Sequence, residues 1–317
     1  MFAARGIAVS FSIFFLLYSG LSVAVGTLWA RVWPHRERYP ARHCADLLFA
    51  IRMLPLAISL AVTLAFTVPS FVLLEPHAIP EPVGDIPVVL GLCGLVLFLL
   101  GIVNASTAVL AASRTIATWV GDGLLVRGGS SVPVLRISRV VPALTAAGIF
   151  RPLVLISHAV ESVLNQNELQ SALRHELAHV RRRDNLKKLL LRLVVFPGMA
   201  ALEVAWLQAT EIGADDAAVS TASEALDLAA ALIKLSRLAT LPSAPDIATT
   251  LVHAPLASVN ARIERLIAWN EQRQKKPGPA ISPLYAVCVM LTTVAAVAVT
   301  YSQALQRVHT ATEWLVR

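Results

Sequence analysis

Two histidines and a glutamate near the middle of the chain carry the clearest chemical signal. They stand in the segment His175-Glu176-Leu177-Ala178-His179. Residues four apart lie on one face of an α-helix, so both imidazoles can face one ion, and imidazole suits zinc. Glu176 follows about 100° round the helix, beside the ion, where its carboxylate can exchange protons with water. The spacing indicates one catalytic Zn²⁺ with His175 and His179 as ligands and Glu176 as general base.

The competing interpretation of this segment is a surface helix with unrelated histidines. Apolar residues stand among the polar ones, namely Leu173, Leu177, Ala178 and Val180. The polar side chains are therefore expected on a largely buried helix, and buried polar groups need partners. This favours a metal site.

A third ligand is expected from the acidic segment 211–216. Two histidines, a glutamate and a water form a known catalytic zinc site, and Glu211 is the candidate glutamate. Asp215 lies one turn later on the same face, where it can accept the N–H of a ligand histidine and fix its tautomer. Without the upstream motif, these acids would be interpreted as the first turn of a helix, stabilised by the helix dipole.

The composition indicates that a membrane protein must position these residues. The chain has 317 residues, of which 56% are hydrophobic and 15% charged, and its mean hydropathy is +0.67. Its three cysteines have no paired spacing for disulfides or a thiolate zinc site. The net charge of +7 is concentrated beside apolar stretches, so we expect contact with membrane lipids and no direct contact with nucleic acid.

Four apolar stretches are long enough to cross a bilayer, which takes about 20 helical residues. We predict transmembrane helices at residues 7–30, 53–74, 86–112 and 283–305. The first leads into an Arg-rich loop, as expected of a retained helix and not of a signal peptide. Pro69 is expected to kink the second. The stretch 189–207 is interrupted by Pro197-Gly198, so it should lie against the membrane or the other helices without crossing.

The charges of the loops predict an orientation. The loop after the first span contains Arg31, Arg36, Arg38 and Arg42, whereas residues 75–85 contain neither Lys nor Arg. By the positive-inside rule the first loop and the basic segment 113–282 lie in the cytoplasm. Both termini, including the tail 306–317, are then outside the cytoplasm.

The segment 113–282 is expected to be an α+β domain. Its β-prone runs at 123–126, 143–147 and 153–156 predict a small sheet. Asn165 with Glu168 forms a capping box that opens a helix over 166–182. Further helices are predicted at 211–218 and 223–239. Arg181 to Arg183 mark the membrane surface, with Asp184 as the partner of one of these arginines.

Several segments resemble the BlaR/MecR family of transmembrane zinc peptidases, which is known for β-lactam sensing. The segments are His175 to Asn185, the ExxxD of Glu211 and Asp215, Gly148-Ile149-Phe150-Arg151-Pro152, and Arg262-Ile263-Glu264-Arg265-Leu266. The resemblance covers about residues 113–267. It implies a mainly α protein of a bacterial-type cytoplasmic membrane, with four transmembrane helices and a cytoplasmic gluzincin-like zinc metallopeptidase domain between the third and fourth. It also implies zinc on His175, His179 and Glu211.

Two departures from the family pattern stand out. The region around Phe196-Pro197 lacks the aromatic-rich His-Pro segment that is common in the family. The sequence also ends about twelve residues after the predicted last span, without the penicillin-binding sensor domain of the antibiotic receptors. Direct β-lactam sensing is therefore not expected.

Two downstream residues are candidates for stabilising the oxyanion of peptide hydrolysis. His253 and Arg262 lie where the related CAAX proteases use a histidine and an arginine, while the alternative for Arg262 is a salt bridge on a helix surface. Either 143–147 or 153–156 is a candidate edge strand for pairing with an extended substrate. The alternative is that the strand in question is covered.

Three functional hypotheses remain open on the sequence. The first is regulatory proteolysis of a cytosolic protein, by family analogy a winged-helix repressor, or self-cleavage. The second is membrane-protein quality control of the HtpX kind. The third is a non-catalytic membrane receptor, which an intact Glu176 disfavours because a structural metal site needs no base. The sequence carries no signal for the oligomeric state and leaves a homodimer open.

Overall fold

The computed structural model describes residues 2–32, 41–75, 84–121, 124–126, 132–137, 144–238, 249–250, 256–269 and 300–313. Within this part the chain is mostly helical with one small sheet. The predicted fourth span, 283–305, lies mostly outside the described residues. Residues 300–313 form a helix, which we call the C-terminal helix.

Among the described residues, three helical stretches are long and apolar enough to cross a membrane: Phe2–Trp29, His43–Leu74 and Asp85–Val120. The first lies in α1 (Phe2–Val32) and the third is α4 (Asp85–Val120). The second combines α2 (Ala41–Val62), a π-helical segment (Thr63–Thr67) and α3 (Val68–Leu74). This second helix begins before the predicted residue 53, because its polar first turns are helical and pack on Leu191, Leu202 and Trp206.

The irregularity near Pro69 is a π-helical segment. Pro69 has no N–H and stands at the start of α3, directly after Thr63–Thr67. A π-bulge is one of the ways in which a helix accommodates an interruption of its hydrogen-bond ladder. Pro55 also lies inside α2.

In the part of the chain that the structure describes, the sheet has five strands in the order β1-β2-β4-β3-β5. The strands are β1 (Leu124–Val126), β2 (Val134–Ile137), β3 (Leu144–Ala147), β4 (Leu153–Ser157) and β5 (Thr249–Thr250). The prediction located β1, β3 and β4 but missed β2 and β5. The β2–β4 pair is parallel, and the other three pairs are antiparallel.

In the described part of the chain, five helices lie between β4 and β5, and a sixth follows β5. They are α5 (His158–Val163), α6 (Gln166–Arg182), α7 (Asp184–Arg192), α8 (Ala200–Ala218), α9 (Ala222–Leu238) and α10 (Leu256–Ile267). The main core of the domain packs α6 and α9 on the sheet through side chains such as Leu144, Ile156, Leu228 and Leu232. The predicted helix at 223–239 is confirmed as α9.

Helices α7 and α8 form a hairpin whose tip, residues 193–199, enters the bundle of apolar helices. Val194 and Met199 at this tip pack on Phe14 and Tyr18 of α1. The tip also touches α4, because a Cβ on Gly101 would lie only 2.6 Å from the carbonyl oxygen of Leu193. The interrupted stretch 189–207 thus packs against the other helices, as predicted.

Side chains from the three apolar helices bind the backbone of this tip. Asn104 of α4 donates to the carbonyl of Arg192, and Tyr18 of α1 accepts from the N–H of Phe196. Arg52 of α2 donates to the carbonyl of Met199. Non-helical backbone among apolar helices is stable only where protein groups satisfy its N–H and C=O groups. These side chains therefore make the break between α7 and α8 tolerable.

Arg52 also binds Glu203 of α8 at 3.0 Å, and its side chain is 7% exposed. Replacing it with Met leaves the Met199 carbonyl without this donor, so we expect Arg52→Met to lower the free energy of unfolding by about 1–3 kcal/mol. The midpoint of thermal unfolding in detergent measures the loss. Arg136→Met is the control, since Arg136 is 48% exposed in its pair with Glu161 and its loss should cost at most about 1 kcal/mol. Equal losses in both variants would contradict the role of Arg52.

Candidate metal centre and active site

Helix α6 carries the HExxH segment and begins with the predicted capping box. The Asn165 side chain accepts the N–H of Glu168, and the Glu168 carboxylate accepts the N–H of Asn165. Lys234 of α9 binds the same carboxylate. The helix ends at Arg183, whose left-handed conformation (φ 55°) turns the chain into α7. These contacts hold α6 against α9 and place His175, two turns from its end, inside the domain.

His175, His179 and Glu211 meet around one point. The Nε2 atoms of the two histidines are 3.1 Å apart. Glu211 lies 3.5 Å from the Nε2 of His175 and 3.6 Å from that of His179. Zinc ligands at about 2.0–2.1 Å in a tetrahedron are separated by about 3.3 Å. The three side chains therefore fit a single zinc ion, and their atoms form a group suited to a metal.

Each of the two candidate ligand histidines has a carboxylate beside its Nδ1 atom. The Nδ1 of His179 lies 2.7 Å from Asp184, and the Nδ1 of His175 lies 3.0 Å from Asp215. All four side chains are at most 2% exposed. A carboxylate at Nδ1 holds the ring so that Nε2 presents its lone pair to the metal. Both imidazoles are thus oriented for the same ion.

Glu211 and Asp215 lie well inside α8, not in its first turn. The helix begins at Ala200, just after the Pro197-Gly198 break, so the alternative explanation by the helix dipole is wrong. That effect acts only within the first turn. The two acids need another partner, and they find it in the histidines and in Arg262.

Arg262 of α10 binds both acids from behind. Its Nε and Nη2 donate to the two oxygens of Asp215, and its Nη1 lies 2.9 Å from Glu211. Its side chain is 4% exposed, which excludes the surface salt bridge. Burial raises the pKa of both acids, but Arg262 and the neighbouring histidines together outweigh burial and keep the pKa of each below its usual range. These pairings favour a positioning role over contact with an oxyanion.

Glu176 lies beside the cluster and is fully buried. Its Oε2 accepts the backbone N–H of Ala146 in β3 at 2.9 Å. Its Oε1 has no hydrogen-bond partner among the residues that the structure describes. One oxygen of the carboxylate is thus fixed by the strand, while the other remains available for a water molecule or a substrate.

The electrostatics of the cluster favour proton transfer by Glu176. Burial raises the pKa of Glu176 to about 8, and the charge of Glu211 adds to this effect. Burial lowers the pKa of His175, but Asp215 and Glu211 outweigh it and raise the pKa to about 9. The pKa of His179 is lowered, mainly by burial. A carboxyl group with a pKa near neutrality can both take up and release a proton.

Asn185 fixes β3 against the active-site helix. Its amide donates to the carbonyls of Ala146 and Gly148, so the residue whose N–H binds Glu176 is also held from the α7 side. Of the two candidate edge strands, β4 lies between β2 and β3, which makes the prediction for 153–156 wrong. Strand β3 is covered in part, because the two-residue β5 pairs with Thr145 and Ala146.

The sequence missed the roles of Asp184 and Asn185. Asp184 was expected to pair with one of the neighbouring arginines, and Arg182 does lie 3.9 Å from it. Its 2.7 Å contact is with His179 instead. The signal was the position of an acid five residues after the second histidine, just beyond the end of α6. The other candidate, His253, lies outside the described residues.

A comparison with protein families matches residues 88–268 to the model of the BlaR1 peptidase M56. This range covers more than half of the chain and includes all the residues of the site described above. The protein therefore belongs to the BlaR1 peptidase M56 family, which confirms the resemblance seen in its motifs. It is a membrane-associated, metallopeptidase-type hydrolase, and membership implies a metal cofactor. No curated protein matches the chain at a significant level.

The carboxylate behind His179 gives a test of the metal centre. We expect Asp184→Asn to weaken metal affinity about 10–100-fold, because the neutral amide no longer fixes the imidazole. Competition with a chelator, followed by metal analysis, measures the affinity of the purified protein. Asp216→Asn serves as the control, since Asp216 pairs with Arg265 at the surface. Unchanged affinity in Asp184→Asn would show that this carboxylate does not support the metal.

Proposed function

We propose that this protein is a zinc-dependent endopeptidase of the membrane that cleaves a cytosolic protein in a regulatory step. The observation that carries the proposal is the buried Glu176 carboxylate beside the cluster of His175, His179 and Glu211. A purely structural metal site has no use for a base at that position. His175, His179 and Glu211 would hold the ion with the two-histidine, one-glutamate donor set of known catalytic zinc sites.

The chemistry that zinc supplies when bound to these ligands is Lewis-acid activation of water and of the scissile carbonyl. Glu176 takes the proton from the attacking water on its free oxygen, while the Ala146 N–H holds the other oxygen in place. The protonated Glu176 then delivers this proton to the nitrogen of the departing amine. Asp184, Asp215 and Arg262 keep the imidazoles and Glu211 in position throughout.

The position of the cluster along α8 supports action at the membrane surface. Glu211 is eleven residues beyond Ala200, which corresponds to about 16 Å of helix. Because the tip before Ala200 lies among the apolar helices, the metal ligands lie beyond it, toward the end of the bundle where the Arg-rich loop follows α1. By the positive-inside rule this end is cytoplasmic. Substrates are therefore proposed to approach from the cytosol.

The proposed substrate is a cytosolic repressor, by analogy with the family, and self-cleavage is part of the same proposal. Quality control of membrane proteins uses the same chemistry on many substrates. The number of proteins that accumulate when the peptidase is inactive distinguishes regulatory proteolysis from quality control, because regulatory proteolysis acts on one cytosolic target.

The catalytic role of Glu176 is tested by Glu176→Gln. The amide keeps the shape of the side chain but takes up no proton, so we expect cleavage to fall at least about 100-fold with the metal content unchanged. Proteomic comparison of cells that carry the wild type or the variant identifies the proteins that accumulate. Glu264→Gln, a change of an exposed glutamate on α10, should behave as the wild type. Normal processing by Glu176→Gln would rule out the peptidase assignment.

The proposed orientation is tested by attaching reporters to the loops. A reporter that is active only in the cytoplasm should work when it is inserted in the loop 33–40 and fail in the loop 76–83. A reporter that needs export should give the reverse pattern. If each reporter gave the opposite result, the site would lie on the other side of the membrane, and the proposal of a cytosolic substrate would be wrong.

A further inference from the structure

A second group of potential metal ligands lies at the opposite end of the apolar helices. It consists of Glu75, directly after α3, and His309 and Glu313 of the C-terminal helix, and one ligand atom from each lies within 4.8 Å of the others. Among the described residues, this group and the catalytic cluster are the two sets that could hold a metal ion. Glu75 is separated from the catalytic end by the whole length of α2 and α3.

The C-terminal helix is held in place by contacts away from this group. Tyr301 donates a hydrogen bond to the carbonyl of Ala65 at 2.7 Å, and its ring packs on Phe66 at 5.4 Å between centroids. His309 follows two turns later and reaches Glu75, which follows Ala65 by ten residues. The two helices therefore run side by side, and their ends bring the three side chains together.

Glu75 is oriented as a ligand would be. Its side chain is 8% exposed, and its Oε1 lies 2.9 Å from Arg5 of α1. Its other oxygen, Oε2, points to His309 at 3.7 Å. Arg5 thus fixes one oxygen and leaves the second directed at the imidazole, in the same way that Arg262 holds Glu211 at the catalytic centre.

His309 lacks close hydrogen-bond partners among the residues that the structure describes. Its Nδ1 is buried and has no hydrogen-bond partner among the described residues. Its Nε2 lies 3.4 Å from Glu313. A neutral imidazole has a single N–H to donate, and both separations exceed the usual length of a hydrogen bond. Two carboxylates and one guanidinium also leave a net negative charge at this point, which favours the binding of a cation.

We propose that Glu75, His309 and Glu313 form a second binding site for a divalent transition metal, with zinc as the preferred ion. Zinc binds both imidazole nitrogen and carboxylate oxygen, and the i, i+4 spacing of His309 and Glu313 places both on one helix face. A metal bound here joins the C-terminal helix to the second apolar helix. That helix carries Arg52, which holds the tip of the α7–α8 hairpin. Metal bound at this site thus stabilises the contact between the second apolar helix and the hairpin tip, and α8 runs from this tip to the catalytic centre.

The stoichiometry of zinc tests the proposal. The full-length protein is purified in detergent, dialysed against micromolar zinc and analysed for metal per chain. We expect two zinc ions in the wild type and one in His309→Ala. Glu313→Gln, at a side chain that is 42% exposed, should fold normally and weaken the second zinc by more than about tenfold. His158→Ala is the control, because His158 is 77% exposed and outside both groups.

The possible stoichiometries separate this proposal from the catalytic one. A single zinc that His309→Ala retains would overturn the second site while leaving the catalytic centre intact. A single zinc that His309→Ala loses would support the second site and contradict zinc at the catalytic cluster. Cobalt in place of zinc gives an independent readout, since its visible absorption should lose one component in Glu313→Gln. An identical cobalt spectrum in that variant would also overturn the proposal.

Discussion

Burial of charge is the constraint on which the site depends. His175, Glu176, His179, Asp184 and Asp215 are almost completely removed from solvent, and an unpaired charge there would cost several kcal/mol. Each of these groups has an oppositely charged or hydrogen-bonding partner within the cluster. Arg262 is central because it binds two of the acids at once. The candidate metal centre is therefore a network in which the loss of one member leaves others unpaired.

This network draws on distant parts of the chain. The Ala146 N–H comes from the sheet, the histidines and Asp184 from α6 and α7, and Glu211 from α8. Arg262 of α10 completes the network by binding Asp215 and Glu211. Because each element contributes a partner that another element needs, the elements around the site are expected to form and lose their geometry together.

Helix α8 links this network to the apolar helices. Its first turn binds Arg52 of α2, and its fourth and fifth turns carry Glu211 and Asp215. A shift of α2 would therefore move α8, and with it the candidate ligand Glu211. The glycine at position 101 permits the close approach of the hairpin tip to α4, which leaves little room for such a shift without repacking.

The sequence by itself determined the local features. The HExxH spacing, the capping box at Asn165 and the apolar lengths of the first three helices depend on residues within a few turns of each other, so periodicity was sufficient. Family membership followed from the same motifs. The tertiary structure alone decided which acid supports which histidine, that Asp184 serves His179, and that Arg262 is buried between two acids. It also placed β4 inside the sheet and the α7–α8 tip among the apolar helices. These features depend on contacts between residues that are distant in sequence, or on the turn after α6, and neither composition nor helical periodicity contains that information.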